Sequence, residues 1–228
     1  MHIEDGILPL VQTVAWDGAA LAFVIPGIKQ AQKKAEQNPA YKPLLAMMGA
    51  AVFVVSAMHL PVPVTGSCSH PCATPLAAIV LGPFATAFIS AIVLFFQAIF
   101  LGHGGITTLG ANTFSMGIVG GFSGYLMWWG LRRGGAPIWL AGGLAGLVGD
   151  LMTYATSALE LAIPLHGQMA LWKQWLIFFL GYGPTQFPLA VLEAVFTAAA
   201  LTLMAERRPD LLPLLARGKK LALGGKAS

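Results

Sequence analysis

The side chains of this chain best suited to holding a metal ion are five histidines and two cysteines, and one histidine stands second, in MHIEDGILPL. A free amine on Met1, the backbone nitrogen of His2 and the His2 ring can close fused five- and six-membered chelate rings around one cation. They would fill three corners of a square. Nitrogen-rich planar sites suit Ni(II) and Cu(II), and cobalt can take the same arrangement. The chelate needs Met1 retained and unblocked, and it needs its donors deprotonated, so binding should weaken in acid. Glu4 and Asp5 follow at once and would raise the local concentration of cations, or else are simply solvated.

A fourth nitrogen must come from elsewhere. His70, in TGSCSHPCATP, is the expected ligand; the other reading is an interfacial histidine capping a short helix that starts near residue 75. His103, in LGHGGITTLGAN, lies on another loop and is a supporting or transient ligand. Ser69 and Asn112 are further candidates beside the metal. His59 and His166 read as plain interfacial residues. Cys68 and Cys72 flank His70 and leave three readings open: a disulfide, a thiolate pair suited to zinc or copper(I), or small buried hydrophobes. The last is favoured for Cys72.

These residues must be positioned by a chain that is 57% hydrophobic and only 10% charged. A soluble domain carries roughly 25% charge. Residues 43–131 hold no Asp, Glu, Lys or Arg at all, far beyond the ~20 residues of one bilayer crossing. The chain therefore reads as an all-α polytopic membrane protein. Strict two-residue alternation, the mark of a membrane barrel, is missing. The first residues lack a basic segment, and no cleavable leader is expected.

About seven spans are expected, near 10–28, 43–59, 75–88, 89–102, 112–131, 136–163 and 184–205. Residues 1–9 form a metal-binding loop, 1–205 one transmembrane domain and 206–228 a cytoplasmic tail. With the N-terminus outside, every basic residue but Lys173 falls on the cytoplasmic side, as positive-inside bias requires. All five histidines then lie at or near the outer face. The weak stretch is 75–102, where LGPFATAF breaks the apolar run and two short or tilted helices, or a re-entrant hairpin, are expected.

Asp150 and Glu193 are costly in lipid and should face the bundle interior, paired with hydroxyls such as those of Thr153, Tyr154 or Thr185; Asp17 is similar. Gly117, Gly120, Gly121, Gly124, Gly142 and Gly146 permit close helix packing, within the chain or against another membrane subunit. No phosphate-binding G-x-x-x-x-G-K-[ST] occurs, so any ATP must be hydrolysed elsewhere.

MHIEDGILP at the start, TGSCSHP at 65–71, LGP at 81–83 and HGGITTLGANTFSM at 103–116 together resemble the CbiM/NikM family, and GDLMTYATSALELA and FPLAVLEAVFT fit the same pattern. The resemblance runs from residue 1 to about 205. It implies the substrate-binding component of an energy-coupling factor importer for cobalt or nickel. It implies seven helices, an outward N-terminal loop plugged into the bundle, and a transported ion held by the Met1 amine, His2 and His70. It also implies a membrane coupling subunit, ATP-binding-cassette ATPases and a small accessory membrane protein as partners, and no organic cofactor. The chain departs from the family after SHP, reading CATP where Thr-Gly is more usual. The elements SCSHP and HGG lean towards the cobalt branch. On the residues alone, two rivals stand: a membrane-embedded metalloprotein or redox enzyme, and a cation channel lined by Asp150 and Glu193.

Overall fold

A computed structural model describes residues 2–62 and 67–212. Met1 and residues 213–228 of the expected tail lie outside the described residues. Helix α1 (Leu10–Gln37) starts directly after Pro9, whose extended backbone sets the entry. Helix α2 (Tyr41–Ala57) follows a short turn. The chain then forms an antiparallel hairpin, β1 (Leu60–Val62) and β2 (Ser67–Ser69), with Pro61 opposite Cys68. Helix α3 (Thr74–Leu81) has only eight residues, every one buried. Helix α4 (Pro83–Leu101) returns. One continuous rod follows, made of α5 (Leu109–Asn112), a π-helical stretch (Thr113–Gly120) and α6 (Gly121–Arg133). Helices α7 (Ile138–Leu165) and α8 (Leu171–Arg207) complete the bundle. Among the described residues, α1, α4, α7 and α8 are each long and apolar enough to cross a bilayer. The fold is that of an all-α polytopic membrane protein.

Besides α1, which runs on to Gln37 and not to residue 28, two boundaries differ from the sequence reading. The break in 75–102 falls at Gly82, between α3 and α4, not near residue 88. Gly82 takes φ +97, which only glycine adopts without strain, and Pro83 can then open α4 because its missing N–H is not needed at a helix start. Eight residues suffice for α3 because it begins deep in the bundle, where the loop behind the hairpin delivers it. Its far end is met by Lys34, whose Nζ donates to the Leu81 carbonyl at 2.6 Å; a cation suits the negative end of a helix. The second difference is α8, which begins at Leu171 and runs unbroken through Pro184 and Pro188. Pro184 and Pro188 leave the Leu180 and Pro184 carbonyls without their helical donors, a loss that a helix packed inside a bundle tolerates.

Small residues let these rods approach. A Cβ on Gly124 would lie 2.7 Å from Pro75 Cβ, and one on Gly149 2.5 Å from Pro75 Cγ. On Gly142 it would meet Leu201, on Gly146 the Glu193 carbonyl, and on Gly117 the Ser90 Cβ at 2.6 Å. The glycine stripes thus serve contacts within the chain. Helix α3 is clamped by this packing between α6 and α7, and the loop before it is held in turn.

Candidate metal centre

The N-terminal segment folds into the bundle because polar groups await its backbone. Ile3 is fully buried. Its N–H donates to Asn112 Oδ1 at 2.8 Å, and its carbonyl accepts from Asn112 Nδ2 at 3.0 Å and Thr108 Oγ1 at 2.5 Å. The His2 carbonyl accepts from Ser67 Oγ at 2.8 Å. Asp5 accepts from the Thr107 amide and hydroxyl and from the Ile106 amide; the Thr107 hydroxyl foremost holds its carboxyl below the usual range. A buried backbone group without a partner is costly, so this set of bonds specifies one seat for residues 2–5. Asn112 is therefore the residue that docks the segment, and Asp5 does more than attract cations.

Docking brings His2 against His70. His2 Nδ1 stands 2.7 Å from His70 Nε2, and the two side chains are 1% and 0% exposed. His70 Nδ1 lies 2.9 Å from the Pro71 carbonyl, which can only accept. That nitrogen therefore carries the proton, and Nε2 presents its lone pair to the site. A second partner of this kind fixes the tautomer of a metal-binding histidine. His2 Nδ1 must then donate to His70 Nε2, and a cation entering between them would replace that proton.

Cys68 and His103 close the group. Cys68 Sγ is 3.0 Å from His103 Nε2 and 4.0 Å from His2 Nδ1. One donor atom from each of His2, Cys68, His70 and His103 lies within 4.8 Å of the others, and all four residues are buried. The His103 ring packs on His2 at 4.0 Å between centroids and on His59 at 4.2 Å. Burial, and then the neighbouring rings His70 and His103, push the His2 pKa well below its ordinary value. Burial does the same to His70 and takes His103 down to about 4. The rings are thus neutral donors at neutral pH. Burial works against ionising Cys68, but nearby positive charge and hydrogen bonds with the His70 side chain and the His2 backbone outweigh it and draw the thiol down to about 6.

The bundle holds the His70 loop from beneath. Tyr154 on α7 accepts from the His70 N–H at 2.8 Å and donates to the His70 carbonyl at 3.1 Å. Glu193 on α8 accepts from the Cys72 N–H at 3.1 Å and the Ala73 N–H at 3.0 Å, at the positive end of α3. Ala73 needs the help: its φ is +55, a conformation costing a non-glycine residue roughly 1–2 kcal/mol. This is the position where the chain departs from the usual Thr-Gly.

The intramembrane acids are buried, as expected, but not paired with the hydroxyls of Thr153, Tyr154 or Thr185. Asp150 accepts from Gln186 Nε2, and Glu193 takes the two backbone donors. Tyr154 is occupied by His70, Thr153 donates to the Gly149 carbonyl and Thr185 pairs with Ser69 at 2.7 Å. Asp17 accepts from the Gly110 N–H at 2.9 Å. Ser69 is turned to α8. Cys68 and Cys72 are not joined in a disulfide; Cys72 is a buried thiol. His166 is half-buried, its Nδ1 3.2 Å from the Met169 carbonyl. Sequence reasoning missed Glu160, fully buried on α7, although an acid within an apolar span was signal enough. It also missed Gln186 and the role of Tyr154, for which no local signal exists.

Comparison with known proteins gives consistent matches. Residues 2–211 match the family described as the cobalt uptake substrate-specific transmembrane region. The chain is 46% identical over 215 residues to a cobalt transport protein from Sorangium cellulosum, covering 94% of this chain and 96% of that one. It is 43% identical over 212 residues to a cobalt transport protein from Geobacter sulfurreducens, covering 93% of this chain but 61% of that longer one. Its fold superposes on the crystal structure of a truncated transition metal transporter with TM-score 0.76 at 25% identity, covering 90% of this chain and 99% of that one.

Proposed function

Because the chain belongs to the cobalt uptake substrate-specific transmembrane family, a family of multi-pass transporters and not of enzymes, we propose that it captures divalent cobalt, or nickel, from outside the cell. The ion is held by the Met1 amine, the His2 backbone nitrogen, His2 Nδ1 and His70 Nε2. Met1 lies outside the described residues, so its share rests on the chelate argument. The observation that carries the reading is the 2.7 Å approach of His2 Nδ1 to His70 Nε2 inside a docked N-terminal segment. Two nitrogens at adjacent corners of a square, with metal–nitrogen bonds of about 2.0 Å, stand about 2.8 Å apart. The pair is thus already spaced for a planar cation.

Planarity disfavours zinc, which has no preference for a square, but it suits copper(II) as well as nickel(II) and so does not by itself exclude copper. The seat also dictates a cycle. An ion this enclosed leaves only if the segment 1–9 unseats, so release inward requires movement of the bonds to Asn112, Thr108 and Thr107. That work comes from partners: a membrane coupling subunit, ATP-binding-cassette ATPases and a small accessory membrane protein. The N-terminus faces outward and the plasma membrane of a prokaryote is the setting, in keeping with the charge distribution.

One residue added before Met1 tests the reading. It destroys the terminal chelate but leaves His2 and His70 in place. Titration of the purified chain with Co²⁺ and Ni²⁺ should show affinity reduced at least tenfold, the scale of losing metal-site support. His70→Ala should do the same. Wild-type affinity in the extended chain would overturn the chelate.

A further inference from the structure

The planar set leaves two buried donors unused, Cys68 Sγ and His103 Nε2. Both lie within reach of the same ion, and both come from separate elements: β2 and the loop after α4. We infer that the pocket contains a second, tetrahedral donor set, made of the Cys68 thiolate with His2, His70 and His103, which takes thiophilic d¹⁰ cations, zinc or copper(I), in place of the transported ion. This deepens the reading above and rests on the same seated N-terminal segment, but it assigns different ligands and a different class of cation.

Geometry supports it. A tetrahedral ion with bonds of about 2.0 Å to nitrogen and about 2.3 Å to sulfur holds its nitrogens about 3.3 Å apart and sulfur about 3.6 Å from each nitrogen. Here His2 Nδ1 to His70 Nε2 is 2.7 Å, Cys68 Sγ to His103 Nε2 is 3.0 Å and Cys68 Sγ to His2 Nδ1 is 4.0 Å. These three of the six pairs need an adjustment of only about half an ångström, and the other three lie within 4.8 Å. Three neutral rings and one thiolate is a donor set that zinc accepts readily. The Cys68 position is not accidental: Pro61 pairs with it across the hairpin and Tyr154 holds the next loop residue but one. Among the described residues His103 Nδ1 is buried without a hydrogen-bond partner, so its ring can rotate towards the ion without breaking a bond to them on that side.

Two donor sets in one pocket sort cations by preferred geometry. Nickel(II) gains from the plane of nitrogens, which cobalt can also adopt. A d¹⁰ ion has no such preference and gains from the thiolate. Sulfur binding would hold the cation off the terminal amine, so zinc or copper(I) should occupy the pocket as a competitor.

The test uses the full chain, kept reduced, with Co²⁺ alone as an optical probe and Zn²⁺ alone as a competitor. When the amine is removed by acetylation, bound Co²⁺ should show intense visible bands of tetrahedral geometry and a near-ultraviolet thiolate-to-cobalt charge-transfer band. Cys68→Ser should abolish the charge-transfer band and lower Zn²⁺ affinity at least tenfold, and by a larger factor than it lowers Ni²⁺ affinity of the unacetylated chain. A cooperative thermal melt of the variant shows that it is folded. His103→Ala should weaken Zn²⁺ more than Ni²⁺. Zn²⁺ affinity and Co²⁺ spectra unaltered by Cys68→Ser would overturn the tetrahedral set while leaving the planar site standing. Failure of the unmodified chain to bind Co²⁺ or Ni²⁺ would remove both.

Discussion

Asn112 decides whether the N-terminal segment stays seated, and replacing it with leucine isolates that role. Leucine is close in volume, so little cavity forms. What is lost is a donor and an acceptor aimed at one residue. The Ile3 N–H then loses the 2.8 Å bond to Oδ1, while the Ile3 carbonyl keeps Thr108. A buried donor without a partner costs about 1–3 kcal/mol. Losing the Nδ2 bond at 3.0 Å adds less, because its acceptor is still served. A coupling of 1–3 kcal/mol corresponds to roughly 5- to 150-fold in affinity. Co²⁺ or Ni²⁺ titration by calorimetry should therefore show binding weakened within that range if the metal-free segment swings out. If it stays seated, the same energy appears as lowered thermal stability of the metal-free chain. Thr107→Val, at the exposed Asp5 contact, should change affinity by a factor of two or three at most. An Asn112→Leu chain with both wild-type affinity and wild-type thermal stability would refute the argument that these bonds seat His2.

Further consequences are equally direct. Gly104 holds φ +79 with a would-be Cβ 3.0 Å from His2 Cδ2, so Gly104→Ala should weaken metal binding about tenfold or more through strain and displacement of the His2 ring; Gly102, at φ +57 in open space, should tolerate Asn with near-normal titration curves. Glu193→Gln leaves one carbonyl oxygen for two N–H donors and sets an amide against one of them, so melting temperature and Ni²⁺ affinity should both fall, by about 1–3 kcal/mol in total. In the metal-free chain, unfolded histidines take up protons below about 6.5, whereas folded His2, His70 and His103 resist because burial depresses their pKa. Their contribution to stability is present above about 6.5 and is lost as pH falls below it, for His103 through about 4, and a thermal melt series in metal-free buffer should trace that loss. Binding should release protons, at least the one shared by His2 Nδ1 and His70 Nε2, which calorimetry in buffers of different ionisation enthalpy will count.

Much of this molecule was legible in the order of its residues. Low charge and an uncharged stretch from 43 to 131 dictate a polytopic helical bundle, because such a chain cannot cover itself against water. His2 and His70 were legible as candidate ligands from residue type and neighbours. The break in 75–102 was visible, though its place at Gly82 depended on how deep α3 begins. The loop path around His70 was not legible. It depends on a hairpin register that puts Cys68 at the site, on Tyr154 from α7 and on Glu193 from α8, partners 84 and more residues away. Nor could local sequence pair Asn112 with Ile3, 109 residues apart. The difference is physical. Hydropathy and charge are sums along the chain, and lipid and water read them without knowing the fold. A donor atom's place within a few ångströms of another is set only when packed helices fix both backbones, and only the tertiary structure decided that four buried side chains, not two, face one point.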